Sequence, residues 1–404
     1  MKKATLEHLL SPMGLETFAH DIWETKHLHI PRADSNYYDH ILTLEDLDEY
    51  LSRNDIRYPS LRMIRGGKPI PISDFSRPLR FGSYASEGLV DVDRVYQLYQ
   101  DGASLVLQLM RSSIKSVSLF ANRLQRDVSF NVETTIYLTP PSEQGFTTHY
   151  DTHSVMVLQI AGRKRWRLYD FAKTYPLLSD TFDSVKYSAA SPSHDILLAP
   201  GDMLYVPRGL AHDAIASKDS KSVHITVGLF PPMWGDLFET RLRQLRSDVN
   251  FRRAPVDFFM PQMRARFIAQ CEQMCQNAFG TTKVGNLFAA TLRQHLTKQS
   301  RMTEHWLANS FVKLPLHAST TLRSRRSIVW QVVQDARAVS VYFYDKRLVL
   351  PHTVKVAVDR LLSGELVLIG ELQPNLSLDS SIVLANKFLE AGLVEIAPGS
   401  DPIF

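Results

Sequence analysis

Cysteine is scarce in this sequence: two residues in 404, Cys271 and Cys275. A secreted fold of this size could not rest on one bridge, and positions four apart on a helix are a poor setting for it, so a disulfide scaffold is excluded. The pair reads as two buried thiols. Long hydrophobic runs are also missing. No stretch of about 18 apolar residues occurs, which argues against a helical membrane span. No apolar segment follows Met1-Lys2-Lys3 to read as a signal peptide. Internal repeats and low-complexity segments are absent as well. Neither sign of charge dominates: 46 Lys and Arg stand against 42 Asp and Glu, a net charge of +4. That mild excess gives no strong argument for a nucleic-acid partner. What is there, 44% hydrophobic and 22% charged residues, is the balance of a soluble globular protein. The expected compartment is the cytoplasm. At about 100–200 residues per domain the length implies two or three domains.

Texture divides the chain into three zones. The first, to about residue 125, mixes short helices and loops, with a helix expected over Leu44–Leu51 and a strand over Ser104–Leu109. The second, about 126–230, turns to short β-runs: Thr134–Thr139, Ser154–Ile160, Arg165–Tyr169, Asp195–Leu198, Met203–Val206 and Ser222–Leu229. Gly162, Pro200-Gly201 and Pro207-Arg208-Gly209 punctuate them, the pattern of a sandwich or barrel. The third opens with apolar spacing near 3.6 over Trp234–Val249, Gln262–Phe279, Leu287–Thr297 and Thr303–Phe311. Phe267, Cys271, Met274 and Phe279 would lie along one side of the second of these helices, as core or as a dimer face. From about 318 a strand at Ile328–Val333, a hairpin at Val339–Leu350 turning at Asp345-Lys346, and helices at Thr353–Leu362 and Asp379–Ala391 follow. Asp379 is the expected N-cap of the last helix, and Gly392 stands just past its end. A small helix–hairpin module of this kind looks like a winged helix.

The chemistry concentrates in Gly145-Phe146-Thr147-Thr148-His149-Tyr150-Asp151. On a strand, positions i and i+2 share a face, so His149 and Asp151 would project together. Sixty-one residues past Asp151, the run from Pro200-Gly201-Asp202 to Pro207-Arg208-Gly209-Leu210-Ala211-His212 supplies a second histidine. Two imidazoles and one carboxylate on a face leave three coordination positions open, the donor set of non-haem Fe(II) oxygenases. An HxD pair alone is weak evidence. Joined to PGDxxYxPxGxxH, which is similar to the double-turn signature of a cupin barrel, it is much stronger. His153 could offer a further same-face donor, and is expected instead behind the metal ligands or against substrate. His194 and His352 have no supporting context.

The HxD…H set within this strand pattern resembles the JmjC-type, 2-oxoglutarate-dependent oxygenases. Tyr137-Leu138-Thr139-Pro140-Pro141, Gln144-Gly145, His149-Tyr150-Asp151 and Val157-Leu158-Gln159-Ile160-Ala161-Gly162-Arg163-Lys164-Arg165-Trp166 are similar to the ribosomal oxygenase subgroup. The resemblance implies an α+β chain. Its parts would be a double-stranded β-helix (cupin/JmjC) catalytic domain with a helical flank over 1–232, a helical dimerisation segment over 233–317 and a winged helix over 318–404. It implies Fe(II) held by His149, Asp151 and His212, and 2-oxoglutarate as cosubstrate. Lys164, fifteen residues after the first histidine, would face the distal carboxylate of 2-oxoglutarate, with Arg163 and Arg165 turned away. Tyr137, Thr135, His224 and Thr226 would support the cosubstrate. The implied reaction is hydroxylation of an arginine or histidine side chain of a ribosomal protein, by a homodimer with no membrane association.

Two other readings stay open on sequence. A metal-dependent cupin isomerase or dioxygenase without 2-oxoglutarate would leave Lys164 dispensable. A non-catalytic regulator would sense metal or ligand in the barrel and bind DNA through the winged helix, with Arg323, Arg325 and Arg326 as its basic cluster.

Overall fold

Between residues 131 and 230 short apolar-rich runs are separated by Gly and Pro, and this stretch folds into most of two facing sheets. In the computed structural model the described residues are 6–53, 55–183, 191–254, 264–280, 287–288, 290–291, 293–294, 315–325, 328–372, 374 and 376–397. The chain divides into two units, residues 1–128 with 132–230, and residues 129–131 with 231–404.

The first unit holds thirteen strands among its described residues: β1 (Leu28–Ile30), β2 (Leu61–Arg65), β3 (Lys68–Pro69), β4 (Ser76–Phe81), β5 (Tyr84–Val90), β6 (Ser104–Leu107), β7 (Asn131–Thr139), β8 (Ser154–Ala161), β9 (Lys164–Phe171), β10 (His194–Leu198), β11 (Met203–Val206), β12 (Leu210–Ala216) and β13 (Ser222–Phe230). An eight-stranded sheet runs β1-β11-β8-β13-β7-β6-β2-β3 and faces a three-stranded sheet, β10-β9-β12; β4 and β5 form a separate hairpin. The strands of both main sheets pair antiparallel in β13 on β8, β11 on β8, β6 on β7 and β12 on β9.

Side-chain alternation explains the core between the sheets. Val155 and Val157 of β8 with Leu204 and Val206 of β11 meet Trp166 and Leu168 of β9, Leu198 of β10 and Leu210 of β12 in one buried cluster. The intervening residues Met156, Leu158, Met203 and Tyr205 are buried too, because the other face of the sheet is also covered. Phe18 and Trp23 pack their rings on Tyr205 there. The helix Leu44–Leu51 forms as expected, with a reciprocal capping box between Thr43 and Asp46. A 14-residue helix at Lys115–Val128 precedes β7 and buries Val117, Phe120, Ala121 and Leu124.

The second unit departs from the sequence reading in four places, the first being its hairpin, which turns at Tyr344-Asp345 and not at Asp345-Lys346. The helix expected through Val249 ends at Leu245. Asp248 then caps a new turn, Val249–Arg252, by accepting from the Asn250 N–H at 2.9 Å; an Asp side chain competes for backbone N–H groups and favours a helix start. Cys271 and Cys275 are exposed rather than buried. They lie on the helix Arg264–Phe279, where Ala278 is buried and most other described side chains face solvent. The last helix, Leu378–Ala391, is capped by Ser377, not Asp379, and Ser377 accepts from the Ser380 N–H. Ser377 holds the extended backbone a cap requires, while Asp379 falls in the first turn, where a carboxylate still meets the positive end of the helix dipole. Gly392 ends the helix at φ +78°, as its position foretold.

Two three-stranded sheets complete this unit: β15 (Trp330–Gln334), β16 (Ala338–Phe343) and β17 (Lys346–Pro351), and β14 (Thr321–Ser324) flanked by β18 (Leu366–Leu368) and β19 (Val394–Ile396). With the helices Lys355–Leu362 and Leu378–Ala391 they enclose a core that includes Val339, Val341, Phe343, Val358, Leu361, Leu384 and Phe388. The helix expected at Thr303–Phe311, much of that at Leu287–Thr297, the first two residues of Gln262–Phe279, and Arg326 lie outside the described residues. No described helix is long and apolar enough to cross a membrane.

Candidate active site

At one end of the sandwich the apolar core gives way to a cavity of about 260 Å³ between the two sheets. Its wall carries the side chains of His149, Asp151 and His212. One donor atom from each lies within 4.8 Å of the others, and among the described residues this is the one such cluster of His, Cys, Asp or Glu. His149 Nε2 stands 3.9 Å from Asp151 Oδ1, and His212 Nε2 3.7 Å from Asp151 Oδ2.

The local structure differs from the simple strand expected for His149 and Asp151. Both lie in the connection between β7 and β8, and their extended geometry comes from one isolated bridge. The His149 N–H donates to the His212 carbonyl at 3.0 Å, and the His212 N–H returns the bond at 2.8 Å. The two metal-donor candidates are thus backbone partners. Asp151 is held by its carbonyl, which accepts from the Gly209 N–H at 2.9 Å. Gly209 has φ +82°, and a Cβ there would sit 1.8 Å from the Lys173 carbonyl oxygen. Only glycine fits this approach, which gives the Pro207-Arg208-Gly209 turn its part in placing Asp151.

Each imidazole is oriented by a carbonyl. His149 Nδ1 donates to the Thr147 carbonyl at 2.8 Å and His212 Nδ1 to that of Leu210 at 2.9 Å. A carbonyl can only accept, so Nδ1 carries the proton and the Nε2 lone pair faces the cavity. Burial, followed by the neighbouring His149 ring, pulls the His212 pKa down to about 4. That ring is neutral at physiological pH and fit to bind a metal. Behind it, buried Asp213 accepts from Thr148 Oγ1 at 2.8 Å, Arg167 Nε at 2.7 Å and the Tyr169 hydroxyl at 2.6 Å. Thr148 and Asp213 are the chain neighbours of His149 and His212. The carboxylate therefore ties the two ligand-bearing segments together on the side away from the cavity.

Lys164 opens β9 and is 4% exposed. Its Nζ donates to Thr139 Oγ1 at 3.0 Å, and among the described residues no carboxylate reaches it. Burial pulls its pKa down to about 7. A buried ammonium with one hydroxyl for a partner calls for an anion. Arg165 is exposed and paired with Asp195 at 2.9 Å, and Arg163 is exposed too, so both face away as expected.

Tyr137, His224 and Thr226 share the wall with Lys164. The Tyr137 and His224 rings stack at 4.9 Å. Burial, then the Lys164 charge, lowers the His224 pKa well below the ordinary histidine range. Its Nδ1 is buried without a hydrogen-bond partner, as are Trp166 Nε1 and Ser104 Oγ, two further wall residues. These unpaired polar atoms fit a site built around a polar ligand. Thr135 sits two residues from Tyr137 on β7 but is not on the wall, where Thr139 is found instead. His153 joins neither the donor cluster nor the wall. It stacks on Phe230 at 4.4 Å, against the bare Cα of Gly228.

Sequence reasoning missed Thr139, Trp166, Ser104 and Arg62. Thr139 and Trp166 follow from alternation once Tyr137 and Lys164 are placed. Ser104 and Arg62 come from strands far from the HxD motif, and nothing local marks them.

Three comparisons bear on this site. Residues 112–237 match the family model described as the JmjC domain. A bifunctional lysine-specific demethylase and histidyl-hydroxylase NO66 of Drosophila persimilis is 32% identical over 228 residues, 56% of this chain and 32% of that protein. Ribosomal oxygenase 1 of Gallus gallus is 31% identical over 259 residues, 62% of this chain and 41% of that protein. The chain thus spans well under half the length of these curated relatives. Among solved structures, YcfD, a ribosomal oxygenase from Escherichia coli in complex with cobalt and 2-oxoglutarate, superposes with a TM-score of 0.57 at 17% identity, covering 95% of this chain and 98% of that one. At that identity the likeness is one of fold.

Proposed function

Taking residues 112–237 as a JmjC domain, we propose that the chain is an Fe(II)- and 2-oxoglutarate-dependent protein hydroxylase. The observation that carries the reading is one cavity holding a two-histidine, one-carboxylate cluster and a buried ammonium with no counter-ion. His149, Asp151 and His212 would hold the metal, and Lys164 with Thr139 would take the distal carboxylate of 2-oxoglutarate. Tyr137, His224 and Thr226 line the space between, with unpaired polar atoms among them. When bound, iron and 2-oxoglutarate supply the oxidising chemistry, converting O₂ and 2-oxoglutarate to succinate and CO₂ as a substrate C–H bond is hydroxylated. The protein's own part is placement. Its carbonyl-oriented imidazoles turn their Nε2 lone pairs to the cavity, where they would meet the metal, the stacked Tyr137 and His224 rings close the wall, and the apolar core behind them excludes water. A cupin that used no 2-oxoglutarate would have no need for a buried lysine that meets one hydroxyl and, among the described residues, no carboxylate.

The substrate proposed is a side chain of a ribosomal protein, arginine or histidine; the relatives' names support the ribosomal target and the histidine, and the setting proposed is cytoplasmic. The test is release of succinate by the purified chain with Fe(II), ascorbate and O₂, alone and with ribosomal proteins. Neither succinate release nor 2-oxoglutarate binding by the wild-type chain would sink the reading.

The finer architecture belongs to this proposal too: catalytic domain over 1–232, helical dimerisation segment over 233–317, winged helix over 318–404. Support for a homodimer comes from the helix Trp234–Leu245, where Trp234, Phe238 and Leu242 are 79%, 53% and 54% exposed at helical spacing. Sedimentation at micromolar concentration should show a dimer that Phe238→Glu shifts towards monomer; a monomeric wild type would remove the claim.

A further inference from the structure

Arg62 stands on the cavity wall but has no part in the chemistry proposed so far. It lies on β2, outside residues 112–237. The sheet register carries it into the site: Arg62 pairs with Val106 on β6, and Val106 with Tyr137 on β7. The three form a row across the large sheet, all on the cavity wall. At one strand spacing per step, the Arg62 backbone stands roughly 10 Å from that of Tyr137.

The strand is fixed against the metal-binding segment by its own turn. Gly67, just past β2, lies so close to Thr147 that an added Cβ would fall 2.8 Å from Thr147 Cγ2. Thr147 is the residue whose carbonyl orients His149. The backbone that carries Arg62 is therefore held at a set place relative to the metal ligands.

Among the described residues Arg62 has no ion-pair partner, and its Nε is buried without a hydrogen-bond partner. Asp151 is the one acidic side chain on the cavity wall, and it belongs to the metal cluster. The charges of the loaded site sharpen the point. Divalent iron, the Asp151 carboxylate, dianionic 2-oxoglutarate and the Lys164 ammonium neutralise one another. The Arg62 guanidinium is left over, and it donates best to a carboxylate, bidentately.

We propose that Arg62 is a specificity-determining residue that captures a carboxylate of the substrate polypeptide, from an acidic side chain near the modified residue or from a free C-terminus. The inference rests on the hydroxylase reading above and deepens it by naming a feature of the substrate. The same charge opposes substrates that bring Lys or Arg to this part of the cavity.

Binding without turnover tests this. Full-length wild type, Arg62→Lys, Arg62→Gln and Arg62→Glu are loaded anaerobically with Fe(II) and 2-oxoglutarate. Each is then panned against a randomised decapeptide library made with free and with amidated C-termini. The wild-type pool should be enriched in Asp and Glu over Lys and Arg by about tenfold, the factor one net charge-assisted hydrogen bond supplies. Arg62→Lys should keep part of the bias, Arg62→Gln should lose it, and Arg62→Glu should reverse it. Stronger retention of the free-acid library without Asp or Glu enrichment assigns the carboxylate to the C-terminus; Asp and Glu enrichment in both libraries assigns it to an acidic side chain. The same selection by wild type and Arg62→Gln, or a wild type that shows neither acidic enrichment nor preference for the free-acid library, overturns the proposal. So does a loss of 2-oxoglutarate affinity in Arg62→Gln as large as in Lys164→Met, measured by calorimetry, because Arg62 would then serve the cosubstrate. A wild type that binds no 2-oxoglutarate at all overturns the hydroxylase reading itself, and this inference with it.

Discussion

Asp151→Ala is expected to lose tight Fe(II) binding and, with it, succinate production, while the domain stays folded. The carboxylate stands between two imidazoles, 3.9 Å from His149 Nε2 and 3.7 Å from His212 Nε2. Without it the site offers two neutral nitrogens and no charge to offset a dication. Changes to groups that merely support a metal ligand cost about 10–100-fold in affinity or activity, so removal of a ligand should cost more than the upper end of that range. The fold should survive because Asp151 is held through its backbone carbonyl, by the Gly209 N–H, and not through its carboxylate. Removing the acid also relieves two polar groups of a neighbour that suits them only when a cation is shared. Thermal melting separates the two effects. Wild type should gain stability on adding Fe(II) or cobalt(II), by the mass action of a ligand that binds only the folded chain. Asp151→Ala should melt near the metal-free wild type and gain little. A variant that still gained the full shift would remove Asp151 from the metal site.

Much of this site could be read from the chain because its parts are short and local. His149 and Asp151 are two residues apart, His212 closes a Gly/Pro-punctuated turn, and Lys164 lies at a fixed offset along an alternating strand. Short β-runs between Gly and Pro likewise gave β8, β11 and β13 nearly in full, and β7 from Thr134 onward. The reading failed where a position is set by distant chain. β12, which carries His212, has no alternation of its own to mark it: His212 and Asp213 are both buried, one facing the cavity and the other the Thr148–Arg167–Tyr169 network. Arg62 reaches the wall through two steps of sheet register that no local pattern records. Thr135 was carried by alternation alone, and the wall at that end of β7 stops at Tyr137. Cys271 and Cys275 look like core by composition and are exposed, because amphipathic spacing says which side of a helix is apolar but not what covers it.

Lys164→Met is expected to weaken 2-oxoglutarate binding on the order of 100-fold, the cost of losing a buried charge-assisted pair. It should also remove a pH dependence that has a definite sign. In the empty cavity burial holds the ammonium near a pKa of about 7, against an ordinary value of 10.5. A carboxylate beside Lys164 favours the charged form, so binding at pH 8 must take up close to one proton. The wild-type affinity should therefore fall as pH rises above 7, by up to about tenfold per pH unit, and level off below it. Calorimetry in buffers of different ionisation enthalpy reads the proton directly, and Lys164→Met should show none. Stability of the unliganded chain moves the opposite way. Between pH 7 and 10.5 the unfolded chain holds the Lys164 proton and the folded one does not, so this residue's contribution to stability rises with pH across that window. Saturating 2-oxoglutarate should abolish the rise, since the ligand restores the proton to the folded state. An affinity that stayed flat from pH 6.5 to 8.5, with no proton taken up, would mean that the distal carboxylate lies elsewhere, and Arg62 is the other cation on the wall that could receive it.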